Sequence, residues 1–198
     1  MLGIFLDTET NGLDPFKHRV LEIAFKVVDL STGEELKSFN SLVQINQELW
    51  ALSDPTSLAV CGITFEETTQ GLSLLDLQHQ VKNIFSDYNL TRGKSVFICQ
   101  NPSFDRVFFS QILPINVQEE MKLPYHWLDL ASMFWGYCME RAKLAQTPYP
   151  WEIGFTKDKI ATFFHLGKEA QPHRAIHGVN HLIGCYEALV GFPCKIKV

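Results

Sequence analysis

The chain has 198 residues, 46% hydrophobic and 20% charged, with a formal net charge of -5. That is enough for one domain with a real core, and the balance is ordinary for a soluble globular protein. It excludes a membrane span, because no apolar run reaches ~18 residues. It also excludes a long basic stripe for gripping duplex phosphates: the cations are scattered as Lys17 to Arg19, Arg141 with Lys143, Lys157 with Lys159, and Lys195 with Lys197. The N-terminus opens directly on a strand with no basic leader, so a cytoplasmic protein is expected. Five cysteines (Cys61, Cys99, Cys138, Cys185, Cys194), widely spaced and without a CxxC pair, indicate neither a disulfide framework nor a zinc site.

In chain order, residues 2–7 read as a strand ended by Asn11-Gly12 and Asp14-Pro15. Residues 19–30 largely alternate and read as a second strand; a turn at 31–34 leads to a third over 36–45, making an antiparallel meander. Asp54-Pro55-Thr56 opens a short helix ending near Cys61-Gly62. Residues 72–88 carry apolar positions at helical spacing. The short apolar run Lys94 to Cys99 reads as a buried strand parallel to the first. Asn101-Pro102 then caps a helix running to about Leu113. One more strand is expected at 126–128, then a helix over 130–144, a Pro-rich loop at 147–151, and helices at 156–165 and 172–190. Antiparallel strands followed by alternating strand and helix give a mixed sheet covered by helices, an α/β fold in a single domain over 1–198.

Two acids, Asp7 and Glu9, end the apolar run from Leu2 to Leu6. Residues two apart on a strand share a face, so both carboxylates occupy one small volume. Each raises the other's pKa unless a cation lies between them, and hard oxygen ligands favour magnesium or manganese. Asp105 stands about one turn into the helix that follows the buried strand. If that strand neighbours the first, Asp105 faces the pair at the carboxyl edge of the sheet. His173 precedes the last helix and is a candidate general base.

This order of acids and histidine resembles the DEDDh 3′-5′ exonucleases, the DnaQ-like branch of the ribonuclease H-like fold. Phe5-Leu6-Asp7-Thr8-Glu9-Thr10-Asn11-Gly12-Leu13 is similar to the family's first motif almost letter for letter. Cys61-Gly62-Ile63-Thr64 resembles its His-Gly-Ile-Thr element, with Cys61 in place of His. Gln100 to Phe108 looks like the second motif, Leu128-Asp129-Leu130 like the strand before the fourth helix, where the acid is structural, and His173-Arg174-Ala175 like the start of the third. The resemblance covers roughly residues 2–190.

The resemblance implies a metal-dependent 3′-5′ exonuclease that releases nucleotides from single-stranded DNA or RNA. Asp7 would bridge two magnesium or manganese ions, Glu9 would bind one, and Asp105 would hold the pair directly or through water. His173 would deprotonate the attacking water, while the cations neutralise the entering and leaving oxygens. Thr10, Leu13 and Asn101 would contact the terminal nucleotide. The implied partners are nucleic-acid 3′ ends and a polymerase or other protein, with no membrane. Charge of this sign does not exclude an enzyme that holds a few terminal nucleotides through metal ions.

One position breaks the pattern. The family's third motif has His, four residues, then Asp, and here that place is Gly178. The site of one metal ion is therefore in doubt. His173, His177 and His181 form an i, i+4, i+8 stripe nearly opposite the apolar face of Ile176, Val179, Ile183 and Tyr186, which reads as a solvated polar face. His181, about 60° from Gly178, is the candidate substitute ligand. A slow nuclease is one expectation, and a catalytically silent relative that binds nucleic acid or a partner protein is the alternative.

Overall fold

A computed structural model describes residues 1–144 and 147–194. Its elements run β1 (Leu2–Thr10), β2 (Val20–Asp29), β3 (Glu35–Leu42), α1 (Gln47–Trp50), α2 (Pro55–Cys61), α3 (Phe65–Thr69), α4 (Leu74–Asp87), β4 (Ser95–Cys99), α5 (Pro102–Ile112), α6 (Ile115–Glu120), β5 (Trp127–Asp129), α7 (Leu130–Ala142), α8 (Pro150–Ile153), α9 (Lys157–Phe163) and α10 (Ala175–Leu189). The expected strands and longer helices are present. The short helices α1, α3, α6 and α8 carry too few periodic positions to be read from spacing. Gln146 of the Pro-rich loop and the Lys195/Lys197 tail lie outside the described residues.

Five strands form one mixed sheet in the order β3-β2-β1-β4-β5. β1 to β3 pair antiparallel, while β4 pairs parallel with β1 and β5 parallel with β4. β1 is thus the central strand and β4 its parallel neighbour, as the apolar run at 94–99 implied. β5 has three residues, and its Asp129 caps α7 by accepting from the N–H groups of Ala131 and Ser132 at 3.1 Å each. The acid is structural.

Alternation along β1 decides what lies over each face. Ile4 and Leu6 join a core with Val81 and Phe85 of α4 and Phe108 and Phe109 of α5. Phe5 points the other way, into a core with Phe134 of α7, Ile160 of α9 and Val179 and Leu182 of α10. The same alternation continues beyond the core. Asp7 and Glu9 take the face covered by α9 and α10, and Thr8 takes the face covered by α5. Cys99, Cys138 and Cys185 are buried in these cores, Cys61 is buried beside Leu21 and Ile63, and Cys194 is exposed, all of them free thiols.

Two helix starts differ from expectation. Asn101 precedes α5 but makes no side-chain cap; its backbone is left-handed at φ 56°, a conformation asparagine tolerates better than most residues. Its N–H donates to Asp129 Oδ1 at 3.0 Å, and its Oδ1 accepts from the Ser103 hydroxyl at 2.8 Å. The start of α10 is pinned to the sheet by Glu22 of β2, which accepts from the Ala175 N–H at 2.9 Å and pairs with Arg174 Nε at 3.3 Å.

Candidate active site

The acids predicted from the sequence stand at the carboxyl end of β1 and beyond the end of β4, but not as one symmetric cluster. Asp105, only 3% exposed, accepts from the Thr8 hydroxyl at 2.8 Å. Since Thr8 alternates with Asp7 and Glu9, Asp105 reaches the strand end from the α5 face. Asp7 and Glu9 approach it from the α9/α10 face. Among the described residues, no three His, Cys, Asp or Glu side chains meet in a group able to hold a metal ion. The facing across parallel strands is present; a closed ligand set is not.

What Asp7 does meet is a lysine. Lys157 Nζ lies 3.2 Å from Asp7 Oδ1 and 3.0 Å from Glu169 Oε2. Lys157 and Asp7 side chains are each 14% exposed, and that of Glu169 is 2% exposed. Burying an ammonium costs several kcal/mol unless carboxylates compensate it, and here two do. Spacing and composition mark neither Lys157 nor Glu169 as a site residue. Lys157 falls in an unremarkable Lys-Asp-Lys run, and Glu169 lies in the loop before α10; only their through-space proximity gives them meaning.

The electrostatics follow from these placements. Burial, and then the Asp7 charge, hold the Asp105 carboxyl well above its usual range, with the Thr8 hydrogen bond opposing them. Burial also raises Asp7, against the Lys157 charge. Glu9 is pushed up to about 8, first by burial and then by Asp7. Burial would raise Glu169 too, but His181 and Lys157 outweigh it and hold Glu169 down at about 2. The arrangement thus leaves Asp7, Glu9 and Asp105 short of positive charge while Glu169 is well supplied.

His173 is half-buried. Its Nδ1 lies 3.1 Å from Glu169 Oε1 and its Nε2 lies 2.8 Å from the Gln171 side-chain nitrogen. An amide N–H donating to Nε2 leaves the proton on Nδ1, donated to Glu169. Glu169 therefore orients the candidate base, a partnership the linear motif does not reveal. The remaining two histidines of the stripe do not form a solvated face. His181, with its side chain 9% exposed, places Nδ1 3.6 Å from Glu169 Oε2 and Nε2 3.1 Å from the Gly167 carbonyl oxygen. The nearby Cys185, and then Glu169, push it up to about 9, and its buried Nδ1 has no partner within hydrogen-bond distance. His177 keeps a buried Nδ1 with no hydrogen-bond partner in the structure. His181 serves Glu169 and is directed there, not to Asp7 or Glu9.

The candidate substrate contacts divide. Leu13 is 74% exposed beyond β1. The Thr10 side chain is buried, and its hydroxyl donates to the Gly12 carbonyl at 2.7 Å, so it shapes the turn that presents Leu13. Asn101 is exposed at the N-terminus of α5. Tyr149 and Trp151 are exposed but stack on each other at 4.5 Å and 6°. Gln100, standing where the family has His, donates from Nε2 to the Phe155 carbonyl at 3.1 Å. An apolar cleft of about 400 Å³, lined by Phe16, Val20, Ile45, Leu49 and Ile112 among others, contains none of the acids.

A mixed sheet in this order, with acids at the carboxyl end of its central strand and in the helix after the next, defines a ribonuclease H-like nuclease of the DnaQ-like branch. An exonuclease family model of the ribonuclease T type matches residues 4–183, and the chain belongs to that family. Three solved structures illustrate the likeness. Exonuclease I from Methylocaldum szegediense is 17% identical with a TM-score of 0.74, over 94% of this chain and 40% of that one. The zinc-bound form of an E. coli exonuclease I–ssDNA complex is 17% identical with a TM-score of 0.74, over 96% and 40%. Cell-death related nuclease 4 is 14% identical with a TM-score of 0.70, over 96% and 63%. The chain spans about two fifths of the length of the exonuclease I proteins it matches. No curated protein sequence matches it.

The chemistry of the donors suits a hard divalent ion: three carboxyls that burial leaves undercompensated. Their placement does not suit two. Position 178 offers no oxygen, and a cation already lies against Asp7.

Proposed function

We propose that the chain is a 3′-5′ exonuclease acting on single-stranded DNA or RNA, with turnover reduced by the loss of the acid at position 178. The observation that supports this reading is the juxtaposition of Asp7 and Glu9 at the end of β1 with Asp105 at the start of α5, in a chain of the exonuclease family. Asp7, Glu9 and Asp105 are the residues that would hold magnesium or manganese. When bound, such an ion supplies a Lewis acid against the scissile phosphodiester.

The chain's own residues supply the rest. His173, oriented by Glu169, would take the proton of the attacking water at Nε2 once Gln171 yields that position. Leu13 would wedge against the terminal base and Asn101 would contact the terminal nucleotide. The zinc-bound exonuclease I–ssDNA complex among its structural neighbours is consistent with a single-stranded substrate. A polymerase or other protein partner belongs to the same proposal.

One observation favours the second reading, a catalytically silent nucleic-acid- or partner-binding relative: Asp7 is ion-paired to Lys157. Oligonucleotides labelled at the 5′ or the 3′ end, as DNA and as RNA, separate the two readings. The nuclease releases a labelled mononucleotide first from the 3′-labelled strand and leaves a shrinking ladder from the 5′-labelled one. Retained binding without shortening at high protein concentration leaves the second reading standing.

A further inference from the structure

Lys157 is the first residue of α9, where a helix presents its own positive end and a cation is disfavoured. Its position therefore needs a reason outside the helix. The ammonium bridges Asp7 at 3.2 Å and Glu169 at 3.0 Å, in a pocket closed by Gly178. A Cβ at position 178 would collide with Asp7 Oδ2 and lie 2.9 Å from Lys157 Nζ. The volume that a side chain at position 178 would enter is thus already filled by the Asp7 carboxylate and the Lys157 ammonium. A position without a carboxylate, Gly178, and a buried cation, Lys157, meet in one place.

We infer that Lys157 is a resident cation standing in for one divalent ion, with Glu169 as its second carboxylate. The site then takes one fewer metal ion than a two-ion nuclease, and Lys157 is what blocks the other. Removing the ammonium leaves Asp7 and Glu169 facing each other across a gap of cation size, made of the hard oxygen donors that magnesium and manganese prefer. The inference rests on the nuclease reading for the identity of the ions, but its measurement does not use activity.

The test counts manganese ions bound to the metal-free full chain, by calorimetry and by the electron paramagnetic resonance of free manganese. Lys157→Met is expected to bind one more ion per chain than the wild type. Lys157→Met with Glu169→Gln returns to the wild-type count, and Lys157→Arg, which keeps the cation, never leaves it. A second variant, Lys157→Gln, guards against misfolding of the first, with circular dichroism as the check. Two ions on the wild type, or no added ion in either uncharged variant, overturns the inference. The oligonucleotide assay is read separately: no shortening sinks the nuclease reading while the increment in bound ions still decides the role of Lys157.

Discussion

Thr8 and Glu9 show how one step along a strand separates roles. Thr8 turns toward α5 and supplies a hydrogen bond to the buried Asp105; Glu9 turns the other way, where burial and then the Asp7 charge act on it. Thr8→Val keeps the volume and removes the donor, so the metal-free chain should lose about 1–3 kcal/mol, read from denaturant unfolding. The pH dependence follows from the direction of each shift. Glu9 is raised from 4.5 to about 8, so stability held by its neutral form is full below pH 4.5 and lost as pH climbs through 8. His181, raised from 6.5 to about 9, loses its contribution in the same direction, between pH 6.5 and 9. Glu169, lowered from 4.5 to about 2, contributes above pH 4.5 and fails as pH falls through 2. Metal-free protein should therefore melt highest near pH 4.5 and progressively lower toward pH 9, and Glu9→Gln should flatten the fall between 4.5 and 8. A melting temperature that rises steadily from pH 5 to 9 would contradict these assignments.

At the scale of elements, α10 and the loop before it carry the departure from the family pattern. Glu22 fixes the first residue of α10 to the sheet, and the α10 backbone passes so close to β1 that Gly178 meets the Asp7 carboxylate. Gly178→Asp adds a carboxyl to a pocket that already contains those of Asp7 and Glu169. The obstructing atoms include Cγ of the short, nearly buried Asp7 side chain on the central strand, which has little room to yield, so without metal the variant should lose about 3 kcal/mol or more. Manganese should recover that loss by binding only the folded chain, and more fully when Lys157→Met is added. Thermal unfolding with and without manganese reads both effects; equal stability in all four conditions would contradict them.

Across the whole molecule, what was legible in the sequence was what local chemistry dictates. The apolar run of β2, buried on both faces, the cap at Asp54 with the left-handed Gly62 closing α2, and the apolar run of β4 each announce their element. The acid pair on β1 and the gap at Gly178 were readable too, because a motif is a local pattern. Lys157, Glu169 and the burial of His181 were not, since each owes its role to a contact with residues distant in the chain or in another element. The face on which Asp105 arrives was hidden for a related reason: strand order places β4 beside β1, but only the packing of α5 decides that Thr8 receives it. The net charge of -5 bears on the whole surface. With few phosphates neutralised, single-strand affinity should fall with salt on a log–log slope shallower than about -2; a steeper slope in an oligonucleotide titration would reveal an extended basic track.

The most direct measurement is the rate of manganese-dependent nucleotide release from a single-stranded oligonucleotide by wild type and by Asp7→Ala, side by side. Wild type should shorten the strand, and the variant should lose more than about 100-fold, beyond what removal of an outer partner of a metal site costs. Equal rates in the two proteins would contradict the assignment of the reaction to this strand end.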